Sequence, residues 1–211
     1  MSRGSSASLE LWEYAQRLLA LILLPAALLI AGAFAALIRL GSPGPILIPQ
    51  CREGRSGETF RIYKLRTMVL DAERVLDREL SRNEQARSEW ERFGRLAEDP
   101  RIAGGAARLA RRFSIDEMPQ ILNVIRGEMN LVGPRPLPPE IAARMAPADR
   151  LCRQSLRPGI TGLWQVSGRS DLSITEMGRI DRIYVSRRTF AVDLIVLLRT
   201  VPAVVNGRGA Y

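Results

Sequence analysis

Ser114-Ile115-Asp116-Glu117-Met118-Pro119-Gln120, continued by ILNVIRGEMN over 121–130 and closed by Leu131-Val132-Gly133-Pro134-Arg135-Pro136, is the stretch around which the chain is organised. It places two adjacent carboxylates where a helix begins, with Arg111 and Arg112 just before them and a proline-fixed, arginine-bearing turn after. Two registers satisfy the helix-start rules. With Ser114 as N-cap, Glu117 completes a capping box, but Pro119 falls where an intrahelical N–H is wanted and kinks the helix. With Asp116 as N-cap, Pro119 takes the third helical position, where its missing N–H costs nothing. Either register sets Asp116 at the positive end of the helix dipole. There an ionised carboxylate is favoured, and a phosphate or a phosphate-bound cation would be attracted. Acidic residues in a first helical turn also serve simply as caps, so the rest of the composition has to decide.

The 211 residues include no histidine, which removes His-based triads, His general bases and His metal ligands. Cys51 and Cys152 are far apart and form no CxxC pair, so they read as incidental small apolar residues of a reducing compartment. Chemistry is left to carboxylates, hydroxyls, arginines, one lysine or a hard cation held by oxygen. The formal charge of +9 calls for an anionic partner: nucleic acid, an anionic membrane surface or a phosphorylated substrate. Nucleic acid is disfavoured, because the basic residues are scattered and no aromatic-basic RNA motif, helix-turn-helix or zinc finger is present. Lys64 is the only lysine among 31 basic residues. A compact ammonium kept in an arginine-rich chain suits phosphate contact.

Taken in order, the chain begins with a short polar tail. Leu18–Ile38 follows, 21 uncharged residues between Arg17 and Arg39 that reach roughly 31 Å as a helix, enough for a bilayer core. The residues alone favour a span, while Pro25 removes one helical hydrogen bond and offers a kink that would return the segment to the same face. Gly41-Ser42-Pro43-Gly44-Pro45 stops the helix. Residues 46–50 and 59–64 read as two strands joined through Gly54-Arg55-Ser56-Gly57, and residues 69–97 as one very polar surface helix. A short helix is expected over 106–112, and an amphipathic helix over 140–156 interrupted at Pro147. Residues 157–169 form a glycine-punctuated loop with a strand-like centre, whose Arg157, Gln165 and Arg169 could hold a ligand. A helix over 173–187 carries Tyr184. The terminal FAVDLIVLLRTVPAVV is apolar but interrupted, and fits an interfacial helix.

Six segments in this order, LGSPGPILIPQ, GRSGETFRIYKLRTM, EDPRI, ARRFSIDEMPQILNVIRGEMNLVGPRP, RPGITGLWQVSGR and DRIYVSRRTFAVDLIVLLRT, together resemble the bacterial sugar transferases, the monotopic phosphoglycosyl transferases, over about residues 17–202. The resemblance implies transfer of a sugar phosphate from a UDP-sugar to polyprenyl (undecaprenyl) phosphate with release of UMP, a first membrane step of glycoconjugate or exopolysaccharide assembly. It implies that Asp116 is the nucleophile of a phosphosugar-enzyme intermediate and that Mg²⁺ sits near Asp116 and Glu117. It also places Lys64, Arg66, Arg111 and Arg135 among phosphate-binding groups, with Arg157, Gln165, Arg169 and Tyr184 as candidates for the nucleoside. One region departs from the family pattern. The membrane helix begins at Trp12-Glu13-Tyr14-Ala15-Gln16-Arg17 with no aspartate before Asp71, and its break is Leu24-Pro25.

The expected protein is therefore an α/β, mostly α, membrane-anchored compact domain. Residues 1–41 form a polar tail and a re-entrant membrane helix, and residues 42–211 a catalytic domain with a small β-hairpin and interfacial amphipathic helices. That domain is expected on the cytoplasmic face of a bacterial inner membrane, among membrane lipids. The sequence leaves homodimerisation open. The reading from another class is a catalytically silent membrane-surface scaffold.

Overall fold

The computed structural model describes residues 3–168 and 172–207, with side chains from residue 8 onwards. One helix, α1 (Arg3–Gly41), runs through Pro25 and carries the longest apolar run of the chain. Its alanine- and leucine-rich composition has high helix propensity, and the glycine-proline turn ends it. One face is buried against the rest of the molecule through Gln16, Ala20, Ala31, Ala35 and Ile38. The other leaves Ile22 and Leu29 74% and 77% exposed. The Ser8–Gly41 portion is long and apolar enough to cross a membrane.

The helix is tied to the same body near both ends. Trp12 donates its indole N–H to Asp193 at 2.9 Å and stacks edge-on against Phe190, and the Val132 N–H donates to the Gln16 side-chain oxygen at 3.0 Å. Glu13 collects Arg157, Arg188 and Asn130. At the other end Ala31, Ala35 and Ile38 share a core with Leu65, Ala107, Ala110 and Ile115. Ser42, just past α1, is held by the Arg66 guanidinium.

The expected hairpin is present as β1 (Leu47–Glu53) and β2 (Thr59–Leu65), antiparallel, with Ile48 opposite Lys64 and Leu47 opposite Leu65. Because side chains alternate across a strand, one face carries Ile48, Gln50, Ile62 and Lys64, and the other carries Leu47, Tyr63 and Leu65. The polar stretch after it forms two helices instead of one, α2 (Ala72–Arg82) and α3 (Glu84–Phe93). The break is Asn83, whose side chain accepts from the Ala86 N–H and competes with helix continuation. Helix α4 (Gly104–Arg112) leads into the central stretch.

Neither expected capping register is adopted there. Ser114 takes a left-handed conformation with φ near 55° and makes no side-chain cap, and Ile115–Gln120 form a 3₁₀ turn that continues into α5 (Ile121–Ile125). Pro119 thus sits inside a tight turn at the start of a helical segment. Beyond it, β3 (Asn130–Val132) pairs in parallel with β4 (Gly159–Thr161), a second small sheet that the sequence reading did not anticipate. Between them the expected 140–156 helix is two pieces, α6 (Pro139–Ala142) and α7 (Pro147–Arg153), each started by a proline. Helix α8 (Leu163–Ser167) follows β4 inside what was read as a loop, and Arg169 lies outside the described residues. Helix α9 (Ile174–Arg187) opens with a Ser173–Glu176 capping box, and α10 (Phe190–Asn206) is the apolar terminal helix. Phe190, Leu198, Val201 and Val205 of α10 are exposed, while Asp193 and Val196 are buried.

The two short strands approach through glycine. A methyl group on Gly133 would lie 2.6 Å from the Arg157 carbonyl oxygen, and one on Gly159 would overlap the Gly133 nitrogen. No side chain can move aside to relieve a clash with backbone. Gly159→Ala is expected to destabilise the fold by at least about 2 kcal/mol, read as a lowered thermal midpoint of the protein in lipid nanodiscs.

Candidate active site

The 3₁₀ turn dictates which side chains face together. Residues three apart eclipse one another in such a turn, so Glu117 and Gln120 form one row and Asp116 and Pro119 another. Glu117 and Gln120 both line a cavity of about 360 Å³ bounded by the polar-facing side of the hairpin, by Arg111 of α4, by Arg135 and by Trp164. Asp116 and Glu117 are 4% and 8% exposed.

Two ionised groups from distant elements meet this pair. Lys64, brought by β2, places Nζ 3.1 Å from Asp116 Oδ2 and 2.9 Å from Glu117 Oε1. Arg135 presents both terminal nitrogens to Glu117, with Nη1 at 2.8 Å from Oε2 and Nη2 on Oε1. The turn that carries Arg135 is pinned in turn by Arg153, which donates to the Arg135 carbonyl. Burial alone would raise the Glu117 pKa, but the charges of Arg135 and Lys64 and their hydrogen bonds outweigh it and hold the carboxyl well below its usual range. Arg135 is shifted the opposite way: burial lowers it and the Glu117 charge more than restores it.

The far wall of the cavity is built from residues that the sequence reading passed over. Gln50 and Arg52 share a face of β1 with Ile48, opposite Lys64, and Trp90 and Arg101 stand together with the guanidinium 5.2 Å from the ring centre. Arg101 is fixed there by Asp99 at 2.8 and 2.6 Å. Burial, followed by the nearby Arg135 charge, lowers the Arg52 pKa to about 10. Trp164 is 5% exposed, and its indole N–H and the Arg52 Nε are both buried without a hydrogen-bond partner. Orphaned donors in a cavity wall want an acceptor. Strand alternation from Lys64 across to β1 was the available signal for Gln50 and Arg52; Trp90 lay hidden in a stretch whose polarity suggested plain solvent exposure.

The structure brings Asp116, Glu117, Lys64, Arg111 and Arg135 together. Arg66 also lines the cavity, but its donors are engaged by Ser42, the Pro45 carbonyl and the Met68 carbonyl, so it fastens the turn after α1. Three candidates lie elsewhere. Arg157 is paired with Glu13 of α1, Gln165 donates to the Ile160 carbonyl, and Tyr184 is 1% exposed with its hydroxyl on Asp193 at 2.7 Å. Tyr184 is a core residue because its ring has no solvent-facing side and its only polar atom is already bonded.

Asp116 and Glu117 are the carboxylates available to a cation. Among the described residues no group of three or more His, Cys, Asp or Glu could hold one unaided. Magnesium commonly takes one or two carboxylates and completes its shell with water and substrate phosphates, so the pair fits a shared ion better than a resident one.

The depressed Glu117 pKa fixes a sign. Its ion pairs contribute stability that is complete above the unfolded value of about 4.5 and is lost as the pH falls through the folded value. Glu117→Gln, which strands Lys64 and Arg135 without that partner, is expected to lower stability at pH 7 by about 3 kcal/mol and to flatten the loss of stability below pH 4.5, both measured by denaturant titration.

A family model described as bacterial sugar transferase matches residues 10–207. An exopolysaccharide production protein, ExoY, of Sinorhizobium fredii is 40% identical over 195 residues, covering 92% of this chain and 84% of the relative. The undecaprenyl-phosphate galactose phosphotransferase of Salmonella typhimurium is 40% identical over 168 residues, 80% of this chain but 35% of that longer protein. The UDP-glucose:undecaprenyl-phosphate glucose-1-phosphate transferase of Caulobacter vibrioides is 38% identical over 197 residues, 88% of this chain and 66% of the relative. With nearly its whole length matched, and Glu117, Lys64 and Arg135 gathered on one cavity with Asp116 bonded to that lysine, the chain belongs to the bacterial sugar transferase family.

Proposed function

We propose that the protein transfers a sugar 1-phosphate from a UDP-sugar to polyprenyl phosphate, with Asp116 as a covalent relay and UMP as the leaving product. The observation that carries this reading is the buried Asp116 carboxylate 3.1 Å from the only lysine, at the edge of a cation-lined cavity. Names of relatives such as the Salmonella and Caulobacter transferases support the donor and acceptor classes.

In the first step an Asp116 oxygen attacks the sugar-linked phosphorus. The bond from that phosphorus to the oxygen bridging the two phosphates breaks, and the electron pair leaves with UMP. In the second step an oxygen of the lipid phosphate attacks the same phosphorus, the acyl-phosphate bond breaks, and Asp116 is regenerated as carboxylate. Such transfers need an aligned nucleophile and neutralised equatorial oxygens rather than proton chemistry, which suits a site without histidine. Lys64 and Arg135 supply that charge, and Glu117 holds both in place between turnovers. Magnesium, held by Asp116 and Glu117 together with the diphosphate, would neutralise further charge there. Arg52 Nε and the Trp164 N–H offer donors to the acceptor-rich nucleoside or sugar at the other end of the cavity.

The same reading sets α1 into one leaflet of a bacterial inner membrane with the catalytic body on the cytoplasmic face. A helix bonded to one body through Trp12 and Gln16, and again packed against it at Ala35 and Ile38, supports re-entry over a crossing that would part its ends. The exposed apolar side of α10 supports an interfacial seat.

Radiolabel from a UDP-sugar labelled in its sugar-linked phosphate is expected to remain covalently attached to the wild-type chain, and UMP release by Asp116→Asn is expected to fall at least about a thousandfold. Equal labelling of both chains would remove the mechanism. Trp164→Phe keeps the ring and deletes the donor; the KM for the UDP-sugar should rise roughly tenfold, with the acceptor KM unchanged.

A further inference from the structure

Asp181 of α9 is completely withdrawn from solvent, and neither of its carboxylate oxygens accepts a hydrogen bond among the described residues. The cation beside it is Arg153 of α7, whose Nε lies 3.7 Å from Oδ2, an ion pair too long to be a hydrogen bond. A buried carboxylate ordinarily collects several donors, so a group left in this state calls for a reason.

Arg153, 6% exposed, sends its nitrogens three ways: Nε towards Asp181, Nη1 to the Met145 sulfur at 3.3 Å, and Nη2 to the Arg135 carbonyl. The last bond holds the turn whose side chain grips Glu117. On its other flank Arg153 lines a crevice with Glu53, Pro134 and Pro158. Glu53 attracts it as well, although that carboxylate is engaged by Arg150 at 2.9 Å. The guanidinium thus lies between two carboxylates, and the charge on Asp181 is what draws it towards α9. The other ionisable groups around Asp181 are the Cys152 thiol, which burial pushes up, and Asp149, set against Gly178 one turn earlier on α9 and paired with Arg182 at 3.3 Å.

We infer that Asp181 is a positioning residue for the phosphoryl transfer: ionised, it sets Arg153 on the Arg135 carbonyl, and protonated, it releases Arg153 towards Glu53 and leaves the Arg135 turn slack. This role rests on the proposed reaction and adds to it a group that touches neither substrate. Arg135 has to meet phosphate oxygens at the place where their charge develops, so a displacement of about 1 Å costs rate. Burial pushes the Asp181 carboxyl up to about 7, against the opposing pull of the Arg153 charge, which brings the change within reach of neutral pH. The sign separates positioning from plain structure. Because the native value lies above the usual 3.8, Asp181 contributes stability that is complete below that usual value and is lost as the pH rises towards about 7. The protonated form favours the fold, and the ionised form favours the clamp.

Full-length protein in lipid nanodiscs is mixed with excess UDP-sugar labelled in its sugar-linked phosphate, without acceptor, and the rate constant of covalent labelling is followed from about pH 5.5 to about pH 8.5. The lipid phosphate, a monoester that titrates at about pH 6, is absent from that step. On acidification the wild-type rate should fall about tenfold through a one-proton limb, while the thermal midpoint does not fall with it. Asp181→Asn, neutral at every pH, should label at the slow acid rate of the wild type throughout and show no limb. Asp149→Asn, which removes the neighbouring carboxylate, should keep the limb. A flat wild-type profile, a limb that survives in Asp181→Asn or vanishes equally in Asp149→Asn, or a thermal midpoint that drops together with the rate overturns the inference; the wild-type measurements need no variant to fold. Absence of covalent labelling of the wild type at every pH would instead overturn the proposed reaction.

Discussion

A lysine ammonium held between two neighbouring carboxylates is the interaction on which the architecture turns. Asp116, Glu117 and Lys64 are all withdrawn from bulk water, and none could be buried alone without a large desolvation cost. Each therefore dictates a piece of scaffold. The hairpin exists to carry Lys64 across the cavity, the left-handed Ser114 sets the tight turn that aims Glu117 at it, and the proline-rich turn after β3 returns Arg135 to close the pair. The close contact of Gly133 and Gly159 and the Arg153 bond to the Arg135 carbonyl hold that last turn still.

The amino-acid order made some of this plain and concealed the rest for physical reasons. Lys64, Glu117 and Arg135 were legible because their residue types are conspicuous: a lone lysine, paired acids and an arginine between prolines. The hairpin was legible from β-branched and aromatic residues flanking a glycine-rich turn. Tyr184, Arg157 and Gln165 were misleading, because polar residues on glycine-rich or helical stretches look alike whether they bind a ligand or fasten a core. Which of the two applies depends on partners such as Asp193 and Glu13, 9 and 144 positions away. The short parallel pairing of β3 with β4 was unreadable for a related reason: three-residue strands carry too little periodicity, and a sheet of two exists only through tertiary contact.

The anchor and the catalytic body are not separable pieces. Trp12, Tyr184 and Arg188 converge on Asp193, and Arg188 and Arg157 converge on Glu13, so the first helix, α9, α10 and the approach to β4 share one buried network. The core around Val124, Met129 and Tyr184 also takes in α1, through Ala20, Leu24 and Ala27. A helix that in sequence looks like an attachment is, in the folded chain, one wall of the interior.

The scarcity of lysine has a practical side. Apart from the amino terminus, the chain offers a single primary amine, and that amine is a third of the way along the sequence yet seated on the Asp116 and Glu117 carboxylates. Acylating reagents and amine cross-linkers, which decorate most proteins at dozens of harmless places, would here report on one pocket besides the amino terminus. Protection of that amine by a bound nucleotide would then be a direct gauge of occupancy, with almost no background to subtract.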